Sequence, residues 1–343
     1  MDRLDRCTSG RSRAAWIAAA LAGTALLTWT SGRRAEKRHP PTGRFVNVDG
    51  RRLHYLEAGT GSPVVLLHGN GASAADFVGC GLFERLTARH RVIAFDRPGF
   101  GHSERPSGSG MWPAERQAAL LARALRRLDA ADAVVVGHSL GTQIALALAF
   151  EPDVQVRGLV LVSGYDYPTL RLDAPLLATP RLPVIGAAMR YTVSAVLARA
   201  ILPAMRRLMF HPRPVAPEFG AAVPESMIVR PWQLRASAEE SWLMRGNAKR
   251  LAPRYRTLTL PVEIFAGAAD RVVRQASQSP RLHDELPHST LHLLPGEGHM
   301  LHYAAPDAIA RAIDRIAAAE IPSAQSAHSY GKFRAIEPVA GKT

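Results

Sequence analysis

One short motif constrains the fold of this chain more than any other feature: Gly137-His138-Ser139-Leu140-Gly141. The apolar, β-branched run 133–136 before it has the composition of a buried parallel strand, and the run 142–149 after it is helix-forming. A strand that turns directly into a helix brings the two so close that both ends of the turn need glycine. The motif therefore predicts a tight strand–turn–helix unit that lifts the Ser139 hydroxyl above a sheet edge.

The rest of the chain alternates between strand-like and helix-like segments. Alternating apolar and polar residues on both sides of Asp49-Gly50 predict a β-hairpin over 44–56. Further strands are predicted at 63–68, 91–96, 133–138, 157–163, 261–266 and 290–294, and helices at 74–89, 112–128, 140–150, 274–286 and 306–319. This order predicts an α/β fold with a doubly wound, mostly parallel sheet covered by helices on both faces.

The segment 165–259 interrupts this alternation. It is rich in proline, arginine and methionine, and it contains helical pieces at 187–199 and 237–250. Because a structureless loop of this length is uncommon, we expect a helical cap inserted between two strands and lying over the active site. The predicted core thus comprises 44–164 and 260–320. A polar linker at about 31–42 precedes it, and a flexible tail at 321–343 follows it.

Residues 14–30 carry no charge and are flanked by arginines. In a helix these residues extend about 25 Å, near the short end of a membrane span. Trp16 and Trp29 lie near the two ends, where interfacial tryptophans occur. The pattern predicts a transmembrane anchor after a basic segment at 1–13, in a bacterial inner membrane. Basic residues on both sides of the segment leave its orientation open, and a periplasmic folded domain is one of the two orientations. A cleaved secretory signal, followed by secretion, is the alternative.

The net charge of +14 comes almost entirely from arginine, since the chain has only four lysines. No basic stripe with interleaved aromatic residues and no nucleic-acid-binding motif is present in the sequence, so a nucleic-acid partner is not expected. Attraction to anionic lipid headgroups agrees better with the predicted anchor.

Two loops offer the partners that a serine nucleophile needs. Asp270 follows the apolar strand 262–265, and His299 follows the strand that ends at Leu294. The chain order Ser139, Asp270, His299 predicts a nucleophile, an orienting carboxylate and a general base. Asp166, which follows another predicted strand, is the alternative carboxylate. No metal-binding motif accompanies these residues.

From about residue 44 to 319, the chain resembles the capped branch of the α/β-hydrolase superfamily. Four parts of the sequence carry the resemblance: 66–71 (LLHGNG), 96–103 (DRPGFGHS), the serine motif, and the loops with Asp270 and His299. This branch includes esterases, carbon–carbon bond hydrolases, cofactor-free haloperoxidases, epoxide hydrolases and haloalkane dehalogenases. The last two resemble the chain elsewhere but use aspartate at the position of Ser139.

The resemblance implies a role for each matching residue. Ser139 attacks a carbonyl carbon, His299 takes and returns its proton, and Asp270 orients the imidazole. The backbone N–H groups of Leu140 and Asn70 form the oxyanion hole. Neither a metal nor an organic cofactor is expected.

The function expected from this resemblance is that of a serine hydrolase. It cleaves a carboxylic ester or a similar carbonyl substrate through an acyl-enzyme, and the apolar cap favours a lipid-like small molecule with a hydrophobic acyl group. Carbon–carbon bond hydrolysis and perhydrolysis with the same three residues are alternatives. A ligand-binding or signalling module on a hydrolase scaffold is an alternative from another class.

Overall fold

The computed structural model describes residues 2–105, 110–169, 179–182 and 184–319. Within these residues one sheet has the strand order β1-β2-β4-β3-β5-β6-β7-β8. The strands are β1 (Arg44–Val48), β2 (Arg51–Ala58), β3 (Pro63–Leu67), β4 (Arg91–Phe95), β5 (Asp132–His138), β6 (Gln155–Val162), β7 (Val262–Gly267) and β8 (Ser289–Leu294).

The sheet confirms the predicted mostly parallel α/β architecture. Strands β3 to β8 pair in parallel, whereas β1 and β2 form an antiparallel hairpin whose second strand pairs antiparallel with β4. The hairpin turns at Asp49 and Gly50, with φ angles of 52° and 72°. Two positive φ angles give a turn whose twist matches that of the paired strands, which is why Asp-Gly is favoured there.

The part of the chain that the structure describes also forms α-helices. They are α1 (Asp2–Arg38), α2 (Ala75–Gly79), α3 (Leu82–Thr87), α4 (Ala114–Arg127), α5 (Gly141–Leu148), α6 (Ile185–Tyr191), α7 (Val193–Phe210), α8 (Pro217–Ala222), α9 (Glu225–Ile228), α10 (Pro231–Leu251), α11 (Ser279–Glu285), α12 (Leu301–Ala304) and α13 (Pro306–Ala318). One apolar core packs the sheet against α4, α5 and α11, and a second packs it against α2, α3 and α13.

Helices α6 to α10 lie between β6 and β7 in the chain. The polypeptide therefore leaves the sheet at the carboxyl end of one parallel strand and returns to the amino end of its neighbour. The predicted tail at 321–343 lies outside the described residues.

Three predicted helices are divided in the structure, among them the one predicted at 187–199, which falls in α6 and α7 on either side of Thr192. The helix predicted at 74–89 is split into α2 and α3 at Gly81, whose φ of 70° is incompatible with a continuous right-handed helix. The helix predicted at 274–286 is a 3₁₀ turn at Gln275–Ser277 followed by α11. Pro306 begins α13, where its missing N–H costs no helical hydrogen bond.

The N-terminal helix continues through the predicted polar linker and ends at Arg38. Its last turns pack on the folded body of the protein. Gly32 lies against the Trp232 ring, and a Glu36 carboxylate oxygen is 2.9 Å from an Nη of the buried Arg230. This packing explains why a polar segment is helical here, since tertiary contacts add stability that local propensity does not supply.

The anchor predicted at 14–30 is not supported. Within the described part of the chain, no single helix is long and apolar enough to cross a membrane. Helices α6 and α7, which meet at an angle of 61°, are together long and apolar enough for a membrane span, by length and composition only. Alanine, the commonest residue of 14–30, buries little apolar surface per residue, which limits the hydrophobic gain of such a segment.

Candidate active site

Ser139 lies at a sharp turn between β5 and α5. Its φ of 53° is in the left-handed region, which is unusual for a residue other than glycine. A Cβ at Gly137 would lie 2.6 Å from the Gly141 carbonyl oxygen. A Cβ at Gly141 would collide with the Leu67 carbonyl oxygen. The close approach of strand and helix therefore requires glycine at both ends of the turn.

The structure brings Ser139, His299 and Asp270 together in one hydrogen-bonded relay. His299 Nε2 is 3.0 Å from Ser139 Oγ, and His299 Nδ1 is 2.8 Å from Asp270 Oδ2. The three side chains follow the carboxyl ends of β5, β8 and β7, which lie at the same edge of the sheet. The imidazole is buried, whereas the serine is partly exposed and within reach of a substrate.

The loop around Asp270 holds its carboxylate in the charged form. Oδ1 accepts the backbone N–H groups of Val272 at 2.8 Å and Val273 at 2.9 Å, and Oδ2 accepts the Gln275 side chain at 3.2 Å. Burial by itself raises the pKa of Asp270, but the charge and hydrogen bond of His299, together with these donors, lower it overall. An ionised carboxylate can then orient the imidazole and stabilise its protonated form.

The loop after β3 lies directly against the serine. A Cβ at Gly69 would lie 3.2 Å from the Ser139 Cβ. The neighbouring His68 accepts the Arg97 backbone N–H at 3.0 Å through Nε2 and donates from Nδ1 to the Gly69 carbonyl at 2.7 Å. Burial, followed by the Arg97 charge, lowers the pKa of His68 to about 4. A neutral His68 therefore shapes the loop.

Asn70 uses its side chain to contact the cap. Its Nδ2 donates to the Ser237 carbonyl and to Ser241 Oγ in α10, both at 3.2 Å. The backbone N–H groups of Asn70 and Leu140 donate to no other residue that the structure describes. Both groups are thus available as donors, and the resemblance assigns them to the oxyanion hole.

Apolar side chains from the cap and from two site loops pack together over the relay. The cluster contains Leu140, Tyr165, Met244, Ala248 and Val273. Leu140 follows the serine, Val273 lies three residues after Asp270, and Met244 and Ala248 belong to α10. This packing places buried apolar side chains beside Ser139 and near Asp270.

Sequence reasoning missed a buried ion pair that joins the core to the cap. The guanidinium of Arg97 is fully buried and pairs with both carboxylate oxygens of Glu240 in α10, one of them at 3.0 Å. Gln117 donates to the same carboxylate at 3.1 Å, and Arg97 Nε donates to the His68 carbonyl at 2.7 Å. The partners lie 143 residues apart, so no local sequence signal connects them.

The alternative carboxylate, Asp166, lies in a separate environment. It is fully buried; one oxygen is 3.4 Å from Thr142 Oγ1, and the other has no hydrogen-bond partner among the residues that the structure describes. Asp270, and not Asp166, contacts His299. Burial raises the pKa of Asp166 to about 7, opposed only by the Thr142 hydrogen bond.

This pKa predicts a pH-dependent stability. Burial favours protonated Asp166 in the folded protein, whereas the unfolded chain releases the proton near the ordinary pKa of 3.8. The contribution to stability is complete below pH 3.8 and is lost as pH rises toward 7, at up to about 1.4 kcal/mol per unit. We expect Asp166→Asn to remove this fall, so that its melting temperature exceeds that of the unmodified protein increasingly between pH 5 and 8. Parallel melting curves would contradict the assignment.

Three further buried side chains lie beside the relay. Asp76, His138 and His302 each offer a possible ligand atom, and these atoms lie within 4.8 Å of one another. The Asp76 carboxylate already accepts His302 Nε2 at 3.0 Å and the Tyr303 hydroxyl at 2.9 Å. These hydrogen bonds hold Asp76 and His302 close to His138, the residue before Ser139 in the turn. The residue types of this group also suit a metal ion.

His138 connects this group to His299. Its Nε2 is 3.2 Å from the His299 carbonyl oxygen, to which it can only donate. Burial and the neighbouring His302 and His299 lower the pKa of His138 well below its ordinary value. A neutral His138 therefore helps to fix the backbone of His299. Its position beside Ser139 was the only sequence signal for this role.

Comparison with known proteins identifies relatives in both sequence and structure. The model of the family described as alpha/beta hydrolase fold matches residues 62–306. Haloalkane dehalogenase 2 of Mycobacterium tuberculosis is 31% identical over 284 residues, which cover 80% of this chain and 94% of the relative. The 2-hydroxymuconate semialdehyde hydrolase of Pseudomonas putida is 32% identical over 243 residues, covering 66% and 84%.

Among solved structures, an esterase from Exiguobacterium antarcticum superposes with a TM-score of 0.67 at 20% identity, covering 81% of this chain and all of the other. An alpha/beta hydrolase fold protein from Burkholderia ambifaria superposes with a TM-score of 0.66 at 22% identity, covering 79% and 96%. These similarities agree with the observed sheet order. The chain belongs to the α/β-hydrolase-fold family.

Proposed function

We propose that this protein is a serine hydrolase that cleaves a carboxylic ester or a similar carbonyl substrate through an acyl-enzyme. The observation that carries the proposal is the relay from Ser139 Oγ through His299 to Asp270, with hydrogen-bond distances of 3.0 and 2.8 Å. A weakly acidic hydroxyl becomes a competent nucleophile when an adjacent base is held in this way.

In the first half of the reaction, the Ser139 hydroxyl gives its proton to His299 Nε2 while Oγ attacks the carbonyl carbon. The tetrahedral oxyanion is held by the backbone N–H groups of Leu140 and Asn70. Each such donor contributes on the order of 3 kcal/mol to transition-state stabilisation. Protonated His299, stabilised by ionised Asp270, then donates the proton to the leaving alkoxide. An alcohol departs, and the acyl group remains on Ser139.

In the second half, His299 takes a proton from water, and the resulting hydroxide attacks the acyl carbon. Collapse of this intermediate breaks the bond to Ser139 Oγ, which receives the proton from His299. The carboxylic acid departs, and the original protonation states are restored. No step requires a group other than the substrate, water and these residues.

The nucleophile distinguishes this reaction from the one named for the dehalogenase relatives. A carboxylate that displaces a halide forms an ester, which water can hydrolyse. A serine that displaced a halide would form an alkyl ether, which lacks a carbonyl carbon for water to attack. Serine at position 139 therefore favours acyl transfer over dehalogenation, despite the 31% identity to haloalkane dehalogenase 2.

The apolar cluster over the relay supports a hydrophobic acyl group. Tyr165, Met244 and Val273 come from three different segments and are buried beside Leu140. An acyl chain that leaves water to pack among such side chains gains roughly 0.8 kcal/mol for each buried methylene. A lipid-like ester is therefore the substrate class that we propose.

Carbon–carbon bond hydrolysis is the second candidate. The observation in its favour is the 32% identity to 2-hydroxymuconate semialdehyde hydrolase. The same nucleophile and base can attack a ketone carbonyl, with a stabilised carbanion as the leaving group in place of an alkoxide.

A labelling and turnover experiment tests the proposal. We expect a fluorophosphonate to label the purified full-length protein, and we expect turnover of p-nitrophenyl esters with a preference for longer acyl chains over acetate. Ser139→Ala is expected to lose both properties. Ser163→Ala, which alters a buried serine that also has a positive φ, 52°, is expected to keep both and serves as the matched control.

The other outcomes each assign a different function. Labelling without turnover of any ester would favour the ligand-binding module. Faster turnover of 2-hydroxymuconate semialdehyde than of every ester would favour carbon–carbon bond hydrolysis. Serine-dependent release of halide from a 1-haloalkane would contradict the argument from the nucleophile.

The cellular placement stays a prediction from the sequence. The sequence predicts attachment through the N-terminal segment, with the core in the periplasm in one of the two orientations, or secretion after cleavage as the alternative. The proposed reaction does not depend on which of these is correct. Fractionation of the producing cell, with detection of the full-length chain, distinguishes them.

A further inference from the structure

One face of α7 is apolar and exposed to solvent. Six large apolar side chains project from it, each at least 37% exposed: Val193, Val196, Leu197, Ile201, Met205 and Leu208. Their spacing returns to the same side of the helix at each turn, so they form a stripe along about 22 Å of α7. We call these six side chains the α7 face.

The opposite side of α7 packs on the protein. Ser194, Ala195 and Phe210 are buried, and Leu202 and Met209 pack against a cluster that includes Phe219 and Met300. The helix is therefore held in place by one side, while its more apolar side faces outward. This is the reverse of the usual arrangement for a surface helix.

The apolar surface extends beyond α7 onto two other helices. Val184 and Ile185, at the start of α6, are 81% and 63% exposed. Helix α1 contacts α6 and adds further exposed side chains, namely Trp16, Leu21, Leu26, Leu27 and Trp29. Large contiguous apolar patches are rare on soluble monomers and mark interaction sites.

The sequence segments that carry this surface are rich in arginine, of which Arg33 and Arg213 are paired with Glu36 and Glu297. Residues 174–217 contain six arginines and no acidic residue, and residues 6–35 contain five arginines and no acidic residue. Arg199 and Arg207 are exposed on α7 itself. An apolar stripe with arginines along its border is complementary to a layer of hydrocarbon below a layer of negative charge.

We infer that the α7 face, together with the exposed part of α1, docks on the surface of a bilayer that contains anionic phospholipid. In this arrangement α7 lies in the plane of the boundary between headgroups and acyl chains. Its apolar side chains enter the acyl region, and Arg199 and Arg207 remain level with the phosphates. This contact needs no membrane-spanning helix.

Two observations favour a bilayer over a second copy of the chain. Self-association through this face would bring together two arginine-rich surfaces, with the exposed Arg199 and Arg207 of each copy, which like-charge repulsion opposes. In addition, residues 15, 16 and 18–23 of α1 are exposed on all sides. A helix that is apolar around its circumference suits hydrocarbon better than the groove of a protein partner.

Sedimentation with vesicles tests the inference and does not depend on the proposed reaction. The full-length protein is mixed with vesicles of phosphatidylcholine with or without phosphatidylglycerol. We expect binding to the anionic vesicles, weakened by salt. The variant L197S/I201S is expected to bind roughly 10- to 100-fold more weakly, because two apolar side chains no longer enter the acyl region.

The matched control is V78S/L293S, which changes two apolar side chains that are 37% and 51% exposed elsewhere on the protein. It should bind as the unmodified protein does, and both variants should keep the original melting temperature. Equal binding by L197S/I201S and the unmodified protein would overturn the inference, because α1 or charge alone would then suffice. A dimer in the absence of lipid that L197S/I201S dissociates would also overturn it.

Discussion

Asp270→Asn is expected to lower kcat/KM for an activated ester by about 10³- to 10⁴-fold. Asparagine keeps the shape of the side chain but removes the negative charge beside His299 Nδ1. The amide can donate to Nδ1, which would place the remaining imidazole proton on Nε2, the atom that must accept the Ser139 proton. The measurement is steady-state kinetics with p-nitrophenyl butyrate, together with a melting curve to show that the variant is folded.

Asp166→Asn is the matched control, since it makes the same chemical change in a buried aspartate that follows a neighbouring strand. Asp166 contacts Thr142 and not His299, so its variant should retain the activity of the unmodified protein. The reverse result, with activity lost in Asp166→Asn and kept in Asp270→Asn, would show that the observed relay is not the one used in catalysis.

Glu240→Ala is expected to destabilise the protein by about 3–5 kcal/mol. The change leaves the Arg97 guanidinium buried without its carboxylate partner, at a site where neither member of the pair is more than 4% exposed. It also removes an acceptor of the Gln117 amide. Because Arg97 bonds to the loop of His68, we expect ester hydrolysis to fall as well. Urea unfolding at neutral pH measures the change.

Glu115→Ala provides the comparison. Its carboxylate pairs with Arg250 at 2.7 Å, but both side chains are about one-third exposed or more, so the loss should stay below about 1 kcal/mol. The double variant R97M/E240L removes both charges and should recover most of the stability lost in Glu240→Ala. Equal effects of Glu240→Ala and Glu115→Ala would show that the buried pair is not what joins the core to the cap.

Local patterns predicted much of the fold. The strand–serine–helix unit and the Asp49-Gly50 hairpin depend on residues within a few positions of each other, and steric limits on the backbone leave few alternatives there. Parallel pairing follows from the alternation of strands and helices, because a crossover helix returns the chain to the same end of the sheet. The division of 74–89 was not predicted, since an apolar helical pattern hides the effect of one glycine in the left-handed region.

The candidate site, like the fold, was determined partly by local sequence and partly by tertiary packing. Sequence alone determined that a serine, a carboxylate and an imidazole would follow the ends of parallel strands, because each comes directly after an apolar run whose direction the fold fixes. Only the tertiary structure decided that Asp270 reaches His299 and Asp166 does not, that Glu240 pairs with Arg97, and that α1 packs through Gly32 and Glu36. These contacts join residues far apart in the chain, and their distances depend on how strands, loops and the cap pack in three dimensions.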